Sequence, residues 1–479
     1  MPRRVVRVSP RVAEHAPVLE QGVAAIRADL AVTPEFPAAV VEEAEVAARS
    51  PRLPELDRTD IPFVTIDPPT SQDLDQALHL ERRGSGFRVH YAIADVAAFL
   101  TPGGAIDEEA NRRGETLYGV GGKIPLHPKK LSEGACSLLP DGDRPALLWS
   151  IDVDESGEGV AVRVERAMVR SRAKLSYEGV QADLDADRAD PVFGLLREVG
   201  ELRLAREAAR GGVSLPLPDQ EVDLEDGHWV LAFRQPLPVE TWNAQISLLT
   251  GMAAAHLMTE GKVGILRTLT PADPRDVAKL RRIGAALRVE WPEKMSYPDF
   301  IRSLDPARAD HAAVLTSSTM LLRGSGYVSF DGELPEQPLH SALASTYAHV
   351  TAPLRRLVDR YAGEICLALC AGTSVPEWVL ARLEELPATM RESSRRANQY
   401  ERDVVDLVEA AVLANQVGQQ FPAMVVAVDE KDPTEGEVMV TAPAVEARVH
   451  SGGPLPLGTE VQVTLVEADP VARKVRFQL

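Results

Sequence analysis

Hydrophobic positions along the chain switch between two spacings, and the switches mark its organisation. "VLEQGVAAIRADL" and "PAAVVEEAEVAARS" place apolar residues three and four apart, which predicts two helices before residue 58, punctuated by Pro34 and Pro37. Nothing strand-like is expected before residue 60, and "SPRLPELDRTDIP" reads as a proline-containing linker. From residue 62 to 170 the pattern is one of strands and turns. "PFVTID" predicts a strand with Val64 and Ile66 inward and Thr65 and Asp67 on the other face. "FRVHYAIADVAAFL" predicts a second strand ending near Asp95, and "LLWSIDVDESGEGVAVRVERAMVRS" a hairpin turning at "DESGEG". From about 195 to 415 helical spacing dominates, as in "VFGLLREVGELRLAREAAR", "PVETWNAQISLLTGMAAAHLM", "DVAKLRRIGAALRV" and "RESSRRANQYERDVVDLVEAAVLANQVG". The last sixty residues hold five short strands, "PAMVVAVDE", "GEVMVTAP", "VEARVHS", "TEVQVTLVEAD" and "KVRFQL", a set that suggests a small barrel of the oligonucleotide-binding (OB) type.

The expected fold class is therefore α+β and multidomain. A small N-terminal helical module covers 1–58, a large mixed α/β domain 59–415, and a five-stranded OB-type β-barrel 418–479. The helical module suits a helix-turn-helix that binds nucleic acid or a brace that only packs on the main body. A length of 479 residues agrees with about three units, and no unit repeats at a fixed period, which excludes a solenoid.

Composition narrows the class. With 45% hydrophobic and 26% charged residues the chain is globular and not disordered. The basic start "MPRRVVRVSPRV" lacks the apolar stretch of a secretory signal, and no apolar run approaches the ~18 residues of a membrane span. A cytoplasmic protein without membrane association, acting as a monomer, is the expectation. Cys366 and Cys370 share a helical face and Cys136 follows small residues; all three read as core thiols, since no second Cys or His pair completes a zinc spacing. A net charge of −19 argues against a surface coated in nucleic acid but allows a local basic channel.

Four stretches carry candidate chemistry. "TIDPPTSQDLDQAL" places Asp67, Asp73 and Asp75 where a strand hands over to a loop. If these carboxylates converge to about 4 Å, each pair repels by about 4 kcal/mol at an effective dielectric near 20, so convergence needs a cation or a proton. Hard oxygen donors favour magnesium or manganese over zinc, and a calcium EF-hand fails because Leu78 and Gly84 stand where its Gly and Glu belong. The alternative is a solvated acidic turn. In "TYAHVTAPLRRLVDRY", Thr351 suits an N-cap and Pro353 a first helical turn, which puts Arg355 and Arg356 at the positive end of a helix. A phosphate clamped there would compensate them; an ion pair of Arg355 with Asp359, four residues on, is the alternative. Glu401 in "RANQYERDVVD" lies on a charged helix that suits a solvated face. Tyr118, before a glycine-rich turn, could stack a nucleobase or serve as an ordinary core or surface tyrosine.

Taken together, these blocks resemble the ribonuclease II and ribonuclease R (RNB) family of 3'-to-5' exoribonucleases. The resemblance rests on "FVTIDPPTSQDLDQAL", "VHYAIADVAAFLTPGGAIDEEANRRGETLY", "IPLHPKKLSEGACSLLPDGDRPAL", "YAHVTAPLRRLVD" and "RRANQYERDVVD", in order between about residues 60 and 412. It implies an RNB-like catalytic domain and an RNA-binding terminal barrel. By resemblance, Asp67, Asp73 and Asp75 match three of four aspartates that hold magnesium (manganese as a substitute), with Asp75 the one essential for turnover. Gln76 stands where the fourth belongs. Arg355 matches the arginine on the scissile phosphate, with Arg356 beside it; Tyr118 matches the aromatic on the last base, and Glu401 a glutamate near the 3' nucleotide. Ala352 and Leu357 stand where the family usually has Ser and Tyr, and the short helical module stands where cold-shock barrels normally do. The implied reaction is magnesium-dependent hydrolysis of RNA from single-stranded 3' ends to nucleoside 5'-monophosphates. A weakened RNB scaffold that only binds RNA, and a metal-dependent endoribonuclease, are the alternatives.

Overall fold

The computed structural model describes residues 6–8, 17–119, 122–217, 219–225, 228–306, 308–429 and 431–479. A short strand β1 (Val6–Val8) precedes the two expected helices, α1 (Pro17–Asp29) and α2 (Ala38–Arg49). β1 corrects the expectation that nothing strand-like precedes residue 60. Its parallel partners are Gln220, Glu221 and Val222, so far along the chain that no local pattern reveals the pairing.

Next come β2 (Phe63–Ile66), β3 (Gln76–Arg83), β4 (Gly86–Ala94), α3 (Ala105–Arg113), the hairpin β5 (Leu117–Gly119) and β6 (Gly122–Ile124), β7 (Asp143–Val153) and β8 (Gly159–Leu175). Strands β2, β3, β4, β7 and β8 close into a barrel, with β2 parallel to β8 and the other neighbours antiparallel. Closure changes the burial of β2. Phe63, Thr65 and Ile66 are all buried and only Val64 is partly exposed; Phe63 shares a core with Val40 and Ala44 of α2, whereas Ile66 belongs to the larger core that Val64 also packs against. A strand covered on both faces loses the inside–outside alternation that its sequence suggests.

The middle of the chain holds α4 (Tyr177–Asp185), α5 (Pro191–Arg210), β9 (Asp219–Glu225), β10 (His228–Arg234), α6 (Pro238–Gly261), β11 (Val263–Leu269), α7 (Pro274–Ala286), α8 (Tyr297–Arg302), α9 (Ala309–Ser318), β12 (Ser325–Asp331), β13 (Leu339–His340) and β14 (Ser345–Thr346). The expected helices are present, and local chemistry sets their ends. In α5, the Asp190 side chain accepts from Val192 N, Pro191 opens the helix, and Gly211 closes it in the left-handed region at φ 79°. Strands interrupt the helical tract in two places: β9 and β10 complete a sheet with β1, and β12-β11-β13-β14 form another.

The last third holds α10 (Leu357–Ala371), α11 (Glu377–Leu383) and α12 (Leu386–Leu413). It ends in β15 (Gln420–Val428), β16 (Glu435–Val440), β17 (Val445–His450), β18 (Glu460–Asp469) and β19 (Lys474–Gln478), a second closed barrel in the order β15-β16-β17-β19-β18. All five strands are those expected from the sequence. Val425, Val438, Val449, Val463, Leu465 and Phe477 fill this barrel. Leu19, Val23 and Ile26 of α1 belong to one core with Leu407 and Val408 of α12 and with the second barrel. The three cysteines are free thiols, with Cys136 and Cys366 buried and Cys370 half-buried. Among the described residues, no helix is long and apolar enough to cross a membrane.

Candidate active site

The acidic stretch forms the connection between β2 and β3 at one end of the first barrel. Asp67 follows the last residue of β2, and its amide donates to the Leu175 carbonyl (3.0 Å). Lys174 Nζ then pins the loop, donating to the Pro69 carbonyl (2.7 Å) and to that of Ser71. Leu74 N donates to Ser137 Oγ (2.9 Å), and that hydroxyl donates to the Gln72 carbonyl (2.6 Å). Ala94 N caps the Asp75 carbonyl at 2.9 Å. A loop held at so many points fixes the direction of its acids, which a solvated turn does not.

The arginine segment meets this loop from the other side, and not as a helix terminus. α10 starts at Leu357, so residues 351–356 form a turn ahead of it. This corrects the N-cap assigned to Thr351. The reason is Asp359: its Oδ1 accepts from Ala352 N (2.7 Å), folding the turn back over the start of α10. The ion pair given as the alternative to a phosphate changes as well. Arg356, not Arg355, pairs with Asp359, at 2.8 and 2.9 Å, and is largely buried. Burial works against the Arg356 charge, and the Asp359 carboxylate more than offsets it, raising its pKa above the ordinary value. Arg355 turns the other way, with Nε 3.3 Å from Asp75 Oδ2 and a side chain that stays 44% exposed. Leu354 N donates to the other Asp75 oxygen at 2.8 Å. Gln76 closes the junction, its Nε2 donating to the Thr351 carbonyl.

Burial controls the acids. It pushes the Asp75 carboxyl up to about 8, against the opposing pull of Arg355 and of the Leu354 amide. It pushes Asp67 up to about 7, again against Arg355, with the Asp73 charge adding to the rise. Arg355 acts on both carboxylates and Lys174 also on Asp67, yet desolvation outweighs these cations at each acid, as it does at sites built to hold a charged ligand.

The hairpin β5–β6 forms a further wall. Its entry is tied to the arginine turn: Thr116 N donates to the Arg355 carbonyl (3.0 Å) and Leu357 N to that of Gly114 (2.9 Å). Tyr118 is 40% exposed and interacts electrostatically with Arg355. Gly119 packs on Tyr400 and Val404 of α12 so closely that a Cβ there would lie 2.8 Å from the Tyr400 ring. Glu401, next along α12, is half-buried beside that contact. Across the hairpin from Tyr118 stands Lys123, whose Nζ lies 2.6 Å from Asp73 Oδ1. Sequence reasoning missed Lys123. Lys123 follows two glycines in "VGGKIP", and only the β5–β6 register places it opposite Tyr118.

Asp67, Asp75, Arg355 and Tyr118 are thus brought into one field, with Gln76 and Arg356 buttressing the turn behind them. Among the described residues, no three His, Cys, Asp or Glu side chains are grouped to hold one metal ion. The donors divide in their fit to a hard cation. Asp67 and Asp75 suit magnesium or manganese, because they are hard oxygen donors, buried at Asp75 and half-buried at Asp67. Asp73 is already matched by the Lys123 ammonium, and Gln76 is held through its amide nitrogen.

A closed barrel thus presents carboxylates withdrawn from water and an exposed guanidinium beside an aromatic hairpin, and a second closed barrel of the OB type ends the chain. The comparisons give the class to which this architecture belongs. Residues 56–369 match the RNB domain, and 419–479 match the RNase II-type exonuclease C-terminal S1 domain. The chain belongs to the RNB family. It is 28% identical over 417 residues to Ribonuclease R of Escherichia coli (strain K12), covering 80% of this chain and 50% of that protein. With Ribonuclease R of Aquifex aeolicus it shares 25% identity over 458 residues, covering 87% of this chain and 63% of that one. The chain thus spans about half the length of the first of these curated relatives. In fold it resembles Mycoplasma genitalium RNase R in complex with ribose methylated single-stranded RNA, with a TM-score of 0.84 at 18% identity over 97% of this chain and 78% of that one. It also resembles yeast Ssd1, a pseudonuclease, with a TM-score of 0.70 at 17% identity over 94% of this chain and 57% of that one.

Proposed function

We propose that this chain is a divalent-metal-dependent 3'-to-5' exoribonuclease that hydrolyses RNA from single-stranded 3' ends and releases nucleoside 5'-monophosphates. The observation that carries the reading is the Asp75–Arg355 contact: a buried carboxylate of raised pKa 3.3 Å from a guanidinium that remains accessible to a ligand. Asp67 and Asp75 would hold magnesium, or manganese in its place; a bound cation of this kind polarises the phosphate and lowers the pKa of water. Arg355 binds the scissile phosphate and offsets charge developing on its oxygens, a role worth about 10²–10³ in rate for one preorganised donor. Tyr118 stacks the 3'-terminal base, which places the bond without reading sequence, and Glu401 lies beside that end. Arg356 and Gln76 keep the arginine turn against the acid loop. The C-terminal barrel supplies a second RNA-binding surface, and the active unit is a cytoplasmic monomer.

A decisive test incubates a labelled RNA, carrying a duplex and a 3' overhang, with magnesium or with chelator. Magnesium-dependent release of 5'-mononucleotides from the overhang supports the reading, internal fragments indicate an endonuclease, and intact RNA retained in a complex indicates a binding protein. That last reading is the second one, and the Lys123 ammonium on Asp73 is what favours it.

A further inference from the structure

Asp73 carries its own cation. Lys123 Nζ lies 2.6 Å from Asp73 Oδ1 and 3.0 Å from Glu133 Oε1, and the three side chains are 19%, 13% and 21% exposed. This is not a surface ion pair: one ammonium is shared by two carboxylates in a largely enclosed place. Its backbone is equally fixed. Lys123 is the register partner of Tyr118, its neighbour Ile124 is buried beside Leu117, and the hairpin is wedged against Tyr400.

Resting on the exoribonuclease reading, we propose that Lys123 takes the place of a second divalent cation in this acidic loop. Two-metal phosphoryl sites set their ions about 3.5–4 Å apart and need carboxylates to spare for both. Here Asp73 shares a covalently tethered positive charge with Glu133, and that ammonium, 2.6 Å from Asp73 Oδ1, repels a second ion approaching the same carboxylate. Asp67 and Asp75 remain, enough for one ion and its waters. Lys123 is thus a positioning residue. It fixes Asp73 as a structural anion, and by sharing a hairpin with Tyr118 it registers the base-stacking ring against the acid loop. Gln76 in place of an acid fits the same economy of charge, because its amide grips the Thr351 carbonyl.

The test counts manganese ions bound to the full chain, by electron paramagnetic resonance of free Mn²⁺ and by calorimetry, in the wild type, Lys123→Arg, Lys123→Met and Lys123→Gln. One ion is expected in the wild type and in Lys123→Arg, and two in both neutral variants, each with a native circular dichroism spectrum. Two ions in the wild type, none in the wild type, or one in a folded neutral variant each overturns the proposal; the Gln variant decides if the Met variant does not fold. The count needs no catalysis. A wild type that binds one ion but releases no mononucleotides from RNA sinks the exoribonuclease reading and leaves Lys123 as assigned.

Discussion

Asp67 follows β2, the first strand of one five-stranded barrel, and Asp429 follows β15, the first strand of the other. Both begin short acidic loops, "DPPTSQDLDQ" and "DEKDPTEG". In the second loop, Asp429 Oδ1 accepts from Lys431 N (2.8 Å) and Asp432 N (3.0 Å), and Asp432 Oδ1 accepts from Thr434 N (3.0 Å) and Thr434 Oγ1 (2.6 Å). Those bonds hold both carboxyls below the usual range, in full contact with water. In the first loop, burial raises Asp67 and Asp75 to about 7 and about 8. The protein therefore contains both outcomes open to an acidic turn after a strand. What separates them is cover: the arginine turn, α10 and the β5–β6 hairpin close over one loop, and among the described residues nothing comparable desolvates Asp429 and Asp432 of the other.

The largest break in this contrast comes from removing the buried charges. Asp75→Asn is expected to reduce mononucleotide release by about 10³-fold or more, while Asp429→Asn, with only water and its own turn around it, stays within about twofold. A time course on a 3'-labelled RNA checks both, and equal losses would remove the distinction. Next in size, Arg355→Ala should lower the rate by about 10²–10³-fold with its main effect on kcat, as expected of a group that acts on developing charge. Tyr118→Ala should instead weaken RNA binding by about 5- to 150-fold, corresponding to the 1–3 kcal/mol of one stacked base, and fluorescence titration with a short oligonucleotide measures it.

Stability sharpens the contrast further. Gln76→Asp removes the donor to the Thr351 carbonyl and sets an anion against it, so it should cost about 1–3 kcal/mol in urea denaturation. An unchanged midpoint would mean that the amide bond carries nothing. A smaller, signed effect concerns pH in the presence of chelator. The folded chain keeps protons on Asp67 and Asp75 that the unfolded chain releases near the ordinary 3.8. Their contribution to stability is therefore full below about pH 4, declines as pH rises and levels off above about 8. Asp429 and Asp432 act with the opposite sign, losing stability as pH falls below the ordinary carboxylate value. Calorimetric melting at pH 5 and 8 should show a fall that Asp75→Asn reduces and magnesium diminishes; an Asp75→Asn slope equal to wild type would contradict the assignment.

Much of this architecture is written locally. The five C-terminal strands, the hairpin turning at "DESGEG", and the helices α1, α2, α5, α6 and α12 follow from spacing and turn residues, because neighbours in sequence decide those features. The same holds for the residue types at the site: carboxylates at a strand end, a paired arginine after a proline, a tyrosine before a glycine turn. Local pattern could not supply β1, whose partner is Gln220–Val222, nor the core that joins Phe63 to Val40 and Ala44 of α2. The ion pair of Arg355 with Asp359, offered from helical spacing as the alternative to a phosphate, forms instead with Arg356, which the turn delivers. Local pattern gave no reason to connect Lys123 with Asp73, fifty residues earlier. Sequence by itself determined which elements form and which chemistry is on offer. Tertiary structure alone decided which aspartates are removed from water and which cation answers each, because desolvation and charge pairing depend on residues brought together in space from distant parts of the chain.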